Sequence, residues 1–347
     1  MATPLVYILH SGQLFGTERM AVRTLAALEG CFDRTIVAPA GPVHDHARAH
    51  GLRTVHAGTP AELARFLWRT GRTHRACVVA ATGLSHTLVA IAMQWLSGCP
   101  TTHVHVVHGG TDERLSYGRK RLLLPFDVRF VAVSGFVRER LAAHGVPPGR
   151  VTVIENFIDA QPDGGRPAFA QAGVRRVVVL SRLDRIKRVG LLVNAVRRTP
   201  ALADMHFDIY GSGEEHTLLR ESAADLPNVR FHGFAPDASA RLREADLLVH
   251  TCAEEPFGLA ILEAFAAGVP VLVPNAGGAG ALVQDCETGF HFAANDAAAL
   301  ARALQRLHDA PAALLNGVAD AARATLAGRF APARQTRRYL SLLGAWA

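Results

Sequence analysis

Short apolar runs recur along the chain, each followed by a turn or by a segment whose apolar positions repeat at helical spacing. In the first half they are LVYIL (5–9), TIVA (35–38), CVVAA (77–81), HVHVV (103–107) and RFVAVS (129–134). In the second they are VVVLS (177–181), FDIYG (207–211), VRFHG (229–233), DLLVH (246–250) and VPVLVP (269–274). Runs this continuous suit strands buried on both faces of a parallel sheet, with helices as crossovers. The alternation occurs twice, which predicts an α/β protein of two Rossmann-like doubly wound domains. FIDAQPDGGRPAFAQAG (157–173) separates the two sets and is rich in Pro, Gly and Asp, as a linker would be. The expected domains are 1–160 and 174–325, joined by a linker at 161–173. Residues 296–347 read as helices only, and a last helix over 326–347 is expected to pack back on the N-terminal domain.

Doubly wound sheets bind ligands at the carboxyl ends of their strands. The segments placed there are Gly12 to Glu18, His108 to Thr111, Ser181 to Lys187, Gly211 to Glu215 and Thr251 to Gly258.

Composition narrows the class. At 347 residues, 49% hydrophobic and 19% charged, the chain has the content of a globular protein with two ordinary cores. Charges, Gly or Pro interrupt every apolar run before the roughly 20 residues a membrane-spanning helix needs. The start, MATPLVYILHSG, lacks the basic region of a signal peptide, and a cytoplasmic location is expected. Cys31, Cys77, Cys99, Cys252 and Cys286 are odd in number and never spaced C-x-x-C. They read as reduced, buried residues and not as a disulfide framework or a zinc site.

The net charge of +7 is uneven. Residues 1–159 carry 17 Lys and Arg against 11 Asp and Glu, and the remainder 20 against 19. The arginines are dispersed, without interleaved aromatics, so nucleic acid is not an expected partner. LSYGRKRLLLPF (115–126) joins Arg119, Lys120 and Arg121 to a Leu triplet. Two readings stand open there: a peripheral contact with an anionic membrane, and a helix with a solvated basic turn and a buried Leu face.

The candidate chemistry lies after the strands of the second half. EEPFGLAILEAFAAGVPVLVP (254–274) carries Glu255 and Glu263 in apolar surroundings with no nearby cation in sequence. Pro256 suits the first position of a helix and Gly268 its end. A helix starting at Pro256 would leave the N–H groups of Phe257, Gly258 and Leu259 open to an anion. It would also set the two carboxylates roughly 12 Å apart, near the reach of a nucleotide sugar. SRLDRIKRVG places Arg182 and Lys187 at the same end of the sheet, two cations suited to a diphosphate.

With these residues in view the sequence resembles the retaining glycosyltransferases of family 4, which have the GT-B fold of two Rossmann-like domains facing a central cleft. The family motif E-x-F-G-x-x-x-x-E-A-x-A-x-G-x-P-V is matched by E255-P-F-G-L-A-I-L-E263-A-F-A-A-G268-V-P-V. Gly16-Thr17-Glu18 is similar to the Gly-rich donor-side loop, and FVAVS (130–134), VTVIENFID (151–159), RLDRIK (182–187), YGSGEE (210–215), VRFHGF (229–234) and Gly277-Gly278 to other family segments. The resemblance implies a nucleotide diphosphate sugar as donor, with a UDP-sugar as the default, and no cofactor. It places Arg182 and Lys187 on the pyrophosphate and Glu263 on the ribose. Glu255 falls on the transferred sugar, beside Phe257, Gly258 and Leu259. Gly16 and Gly211 are assigned to the donor loops, and His108 to the sugar and acceptor. Glu255 and His108 are the candidate catalytic residues. Where the family often has Asn-Gly and a Glu after Gly-Gly, this chain has Asn156-Phe157 and Ala281, which leaves fine donor placement open.

No two aspartates stand two positions apart, so the D-x-D pair common in metal-dependent enzymes is missing, and no catalytic metal is expected. The acceptor is a hydroxyl compound that no motif specifies. Competing readings are a sugar-nucleotide epimerase or phosphorylase of the same fold, a nucleotide-binding protein without catalysis, and a dehydrogenase. The last rests on Gly211-Ser212-Gly213, whose third glycine position holds His216.

Overall fold

The computed structural model describes residues 2–110, 113–158, 165–235 and 238–344. It divides into two compact units. One holds the chain up to Phe157 and again from Pro332, and the other holds Ile158–Ala331.

In unit 1 the strands are β1 (Pro4–Ile8), β2 (Asp33–Ala38), β3 (Arg53–His56), β4 (Cys77–Ala81), β5 (Thr101–Val107), β6 (Val128–Ala132) and β7 (Val151–Val153). The helices are α1 (Gly16–Ala27), α2 (Val43–Ala49), α3 (Pro60–Thr73), α4 (Leu84–Ser97), the single turn α5 (Glu113–Ser116) and α6 (Gly135–Ala143). A 3₁₀ helix runs over Gly118–Leu123. The seven strands lie in the order β3-β2-β1-β4-β5-β6-β7, all parallel. Val6, Ile8, Val37 and Val79 on the sheet meet Leu63 and Leu67 of α3 and Ala90 of α4.

Unit 2 repeats the plan. Its strands are β8 (Arg176–Leu180), β9 (His206–Tyr210), β10 (Val229–Gly233), β11 (Leu247–Val249), β12 (Val271–Pro274) and β13 (Phe290–Phe292). Its helices are α7 (Gly190–Arg197), α8 (His216–Ser222), α9 (Leu259–Ala267), α10 (Gly277–Leu282), α11 (Ala297–His308) and α12 (Ala312–Arg329). The order β10-β9-β8-β11-β12-β13 is that of a doubly wound dinucleotide fold, with its reversal between β8 and β11. One apolar core joins Val177, Val179, Phe207, Ile209, Leu247 and Leu272 to α7 and α11. The last helix, α13 (Pro332–Leu343), belongs to unit 1, whereas residues 326–331 close α12 and fall in unit 2. Positions 161–164 of the expected linker, and Thr111, lie outside the described residues.

Local chemistry fixes the element ends. Thr59 and Glu62 form a reciprocal cap on α3 with Pro60 in its first turn. Ser134 caps α6, Asp296 caps α11, and α4 and α9 stop at the left-handed Gly98 and Gly268. No helix among the described residues is long and apolar enough to cross a membrane.

Candidate active site

The switch point of unit 2 lies where β8 and β11 diverge, and two loops leave the sheet there. The first runs from Ser181 through a 3₁₀ turn at Arg185–Lys187 to Arg188, a non-glycine residue at φ 54°. It is braced by the Gly211–Glu215 loop, since the Leu183 N–H donates to the Ser212 carbonyl and the Glu215 N–H to that of Leu183. A Cβ at Gly211 would collide with the Ser181 carbonyl, and one at Gly213 with Leu183. Both glycines therefore serve close backbone packing.

The second loop, His250 to Gly258, follows β11 and is mostly buried. Thr251 donates its hydroxyl to the Lys187 carbonyl at 2.6 Å, tying the two loops together. The Lys187 ammonium donates to Glu255 Oε2 at 2.6 Å, and His250 Nε2 stands 3.3 Å from the same oxygen. Burial opposes ionisation of Glu255, but the Lys187 ammonium and then His250 hold its carboxyl well below the usual carboxylate range. Burial likewise opposes the Lys187 charge, and Glu255 raises its pKa above the ordinary lysine value. Alongside, Arg188 pairs with Glu254 at 2.8 Å and Arg182 with Asp184 at 2.7 Å. Arg182 is half exposed. The cation that the sequence failed to offer Glu255 thus comes from 68 positions earlier.

Gly277 and Gly278 hold the Glu255 loop from behind. Gly277 has φ +67°, and a Cβ at either residue would run into the 253–256 backbone. The Gly278 N–H donates to the Glu255 carbonyl at 2.7 Å. The helix beyond the loop starts later than its sequence suggests. α9 begins at Leu259, after Gly258 at φ +100°, so Pro256 to Gly258 form a turn. The N–H groups of Phe257 and Gly258 belong to that turn, and only Leu259 of the three lies in the first helical turn. Glu263 is half-buried on α9, and just the last four of the eight steps from Glu255 are helical, about 6 Å of rise. Phe257 is buried edge-on against Phe330.

His250, Cys252 and Glu255 bring a nitrogen, a sulfur and an oxygen within 4.8 Å of one another, donor types that zinc accepts. Burial, then Glu255, pushes the Cys252 thiol up to about 11, and the Lys187 ammonium already sits on the carboxylate. The cluster fits an ammonium better than a metal ion.

Unit 1 presents its own switch point between β1 and β4. His10 Nδ1 meets Thr82 Oγ1 at 3.2 Å there. His108, just past β5, has a buried Nε2 with no partner among the described residues, as does His86 at Nδ1. Burial, with His10 second, brings His108 down to about 4. Gly16 opens α1, where the buried Glu18 accepts the Phe15 N–H at 3.2 Å. Sequence reasoning missed His10, His86 and His250, although each stands just beyond a strand or the turn that follows it.

Two family models match. One described as "Glycosyltransferase Family 4" covers residues 15–162, and one described as "Glycosyl transferases group 1" covers 174–310. The lipopolysaccharide core biosynthesis glycosyltransferase LpsE of Rhizobium meliloti is 31% identical over 243 residues, 68% of each chain. The chain belongs to this glycosyltransferase family. A glycogen synthase of Mycobacterium tuberculosis is also 31% identical, over 63% of this chain and 52% of its own, so the match spans about half of that relative. Among solved structures, Anabaena HepE in complex with UDP and glucose superposes with a TM-score of 0.84 at 20% identity, covering 99% of this chain and all of its own. The apo form of the lipopolysaccharide outer core galactosyltransferase WaaB gives 0.76 at 15%, with the same coverage. At these identities the likeness is one of fold, the two-domain GT-B architecture of this glycosyltransferase.

Proposed function

We propose that the protein is a retaining glycosyltransferase that moves a hexose-type sugar from a UDP-sugar to a hydroxyl acceptor without a catalytic metal. The observation that carries this reading is the buried Lys187–Glu255 pair at the switch point of unit 2. Lys187 exchanges Glu255 for the donor diphosphate, Arg182 leaves Asp184 to join it, and Glu255 is freed for the sugar hydroxyls. Glu263 accepts the ribose hydroxyls, and the turn from Phe257 to Leu259 offers backbone N–H groups to the phosphate. UDP is taken as the nucleotide because the HepE complexes hold UDP and UDP-glucose. In unit 1, Gly16 and His108 are assigned to the sugar and acceptor side, with His108 neutral near pH 7.

In the step itself, the bond between the anomeric carbon and the diphosphate oxygen breaks. A bond to the acceptor oxygen forms on the same face, and the acceptor proton passes to the departing diphosphate. The protein positions the partners and stabilises the leaving charge. The family match favours transfer over the epimerase alternative.

Calorimetric binding of UDP, GDP, ADP, dTDP and NAD, with and without EDTA, tests the reading. UDP is expected to bind regardless of EDTA, and Glu263→Ala to weaken it at least about tenfold, as loss of hydrogen bonds to a charged group would. Binding of NAD alone, or of no nucleotide, would sink the transferase reading.

A further inference from the structure

The basic segment 115–126 forms a surface that the donor chemistry does not use. Residues Gly118–Leu123 are a 3₁₀ helix, whose three-residue turn puts positions three apart on one face. Lys120 and Leu123 share the inward face and are buried, Lys120 at 7% exposure. Arg119 and Leu122 share an outward face, with Arg121 exposed beside them. The sequence had grouped Lys120 with the two arginines and sent the leucines inward. The structure instead turns the lysine in and leaves Leu122 58% exposed.

A cavity of about 980 Å³ opens here, lined by Arg114, Arg119, Arg121, Leu115, Leu122 and His144 among others. The helix packs against α4, where the Trp95 ring contacts Phe126 at 5.9 Å. Trp95 and Leu96 at the end of α4 are 70% and 69% exposed, and Leu115 47%. Neither α4 nor residues 114–126 contain an acidic residue, and only Glu113 and Asp127 bracket the latter. Three arginines, a tryptophan and three leucines, all exposed and without an acidic residue among them, form one continuous amphipathic face.

We propose that this face of unit 1 seats on an anionic lipid surface, with phosphate headgroups in the arginine-lined cavity and Trp95, Leu96 and Leu122 at the headgroup boundary. Its charge selects the partner. Arginine forks match lipid phosphates, while the exposed Trp and Leu side chains gain contact with acyl chains that an acidic soluble protein would not offer.

Cosedimentation of the full chain with vesicles of phosphatidylcholine, alone or with one-third phosphatidylglycerol, tests the proposal without any substrate. Binding is expected with the mixed vesicles only. The triple variant R114Q/R119Q/R121Q should lower the partition coefficient about fivefold per arginine, on the order of a hundredfold in all. W95S/L96S/L122S should lower it at least about tenfold at unchanged charge. Both variants should keep the native Tm and UDP affinity, since none of these residues belongs to the donor site. No binding of the native chain to mixed vesicles in low salt, or equal binding by the arginine variant, would overturn the proposal while leaving the transferase reading untouched.

Discussion

Glu255 and Lys187 illustrate how a buried pair couples stability to function at single residues. Removing one partner of such a pair leaves an uncompensated charge, whereas replacing both with apolar groups does not. Lys187→Met is expected to cost roughly 3 kcal/mol in chemical denaturation, and Lys187→Met with Glu255→Leu to recover most of it. The pH dependence has a definite sign. Glu255 is depressed from 4.5, so its contribution is full above that value and is lost only as pH falls through the lower folded pKa. Lys187 is raised from 10.5, so its contribution is full below that value and is lost as pH rises through the folded pKa. The Tm difference between native and doubly substituted protein should therefore be flat from about pH 5 to pH 10. A slope near pH 7 would refute the ion pair. His108 behaves oppositely. Lowered from 6.5 to about 4, it binds its proton in the unfolded chain first, so stability should fall as pH drops across that interval. Its ring proton resonance should titrate near 4, and a midpoint near 6.5 would place the imidazole in water.

At the scale of elements, what the sequence disclosed depended on burial. The strands flanked on both sides in their sheets are uninterrupted apolar runs, and each was legible. β3, β7 and β13 were not. All three are edge strands, short and covered on one side only, and RTVH carries no run to read. The Glu-x7-Glu segment announced the site, but the start of α9 was misplaced because Pro256 suits a turn as well as a helix. The Lys187–Glu255 pairing was invisible because only the sheet order brings those loops together. Glycine roles divide in the same way. Gly278 reads as part of a family motif, and the structure gives its cause in the Pro256 carbonyl that a Cβ would strike. Gly278→Ala is expected to cost roughly 1–3 kcal/mol and to weaken UDP binding by displacing the Glu255 loop. Unchanged UDP affinity would show that the loop does not depend on that contact. The cysteines also needed the fold. Cys77 and Cys99, 22 positions apart, face each other at 3.5 Å in unit 1, while Cys31 and Cys286 are exposed and not buried as the sequence suggested. Ellman titration should find two fast thiols in the native protein and three more after denaturation.

For the molecule as a whole, the two units carry separate cores, yet the chain visits unit 1 twice. α13 packs on α1, with Tyr339 and Gln335 buried, and the Arg129 side chain donates to the Leu342 carbonyl near the helix end. The Tyr7 hydroxyl lies fully inside this region, and burial, then Tyr339, raises its pKa. A strand at the start of the chain and a helix near its end thus share one core, so unit 1 is completed only after unit 2 has been traversed. The stability of the first sheet should depend on a helix far away in sequence, while the second sheet should not notice it. Tyr339→Ala removes a large buried ring at a cost of about 3 kcal/mol. Hydrogen exchange locates that cost, because protection reports the local free energy of opening. Amides of β1, β4 and α1 are expected to lose protection, while those of β8 and β11 keep theirs. An equal loss in both sheets would mean that the two units unfold as one body and that α13 is not a private element of the first.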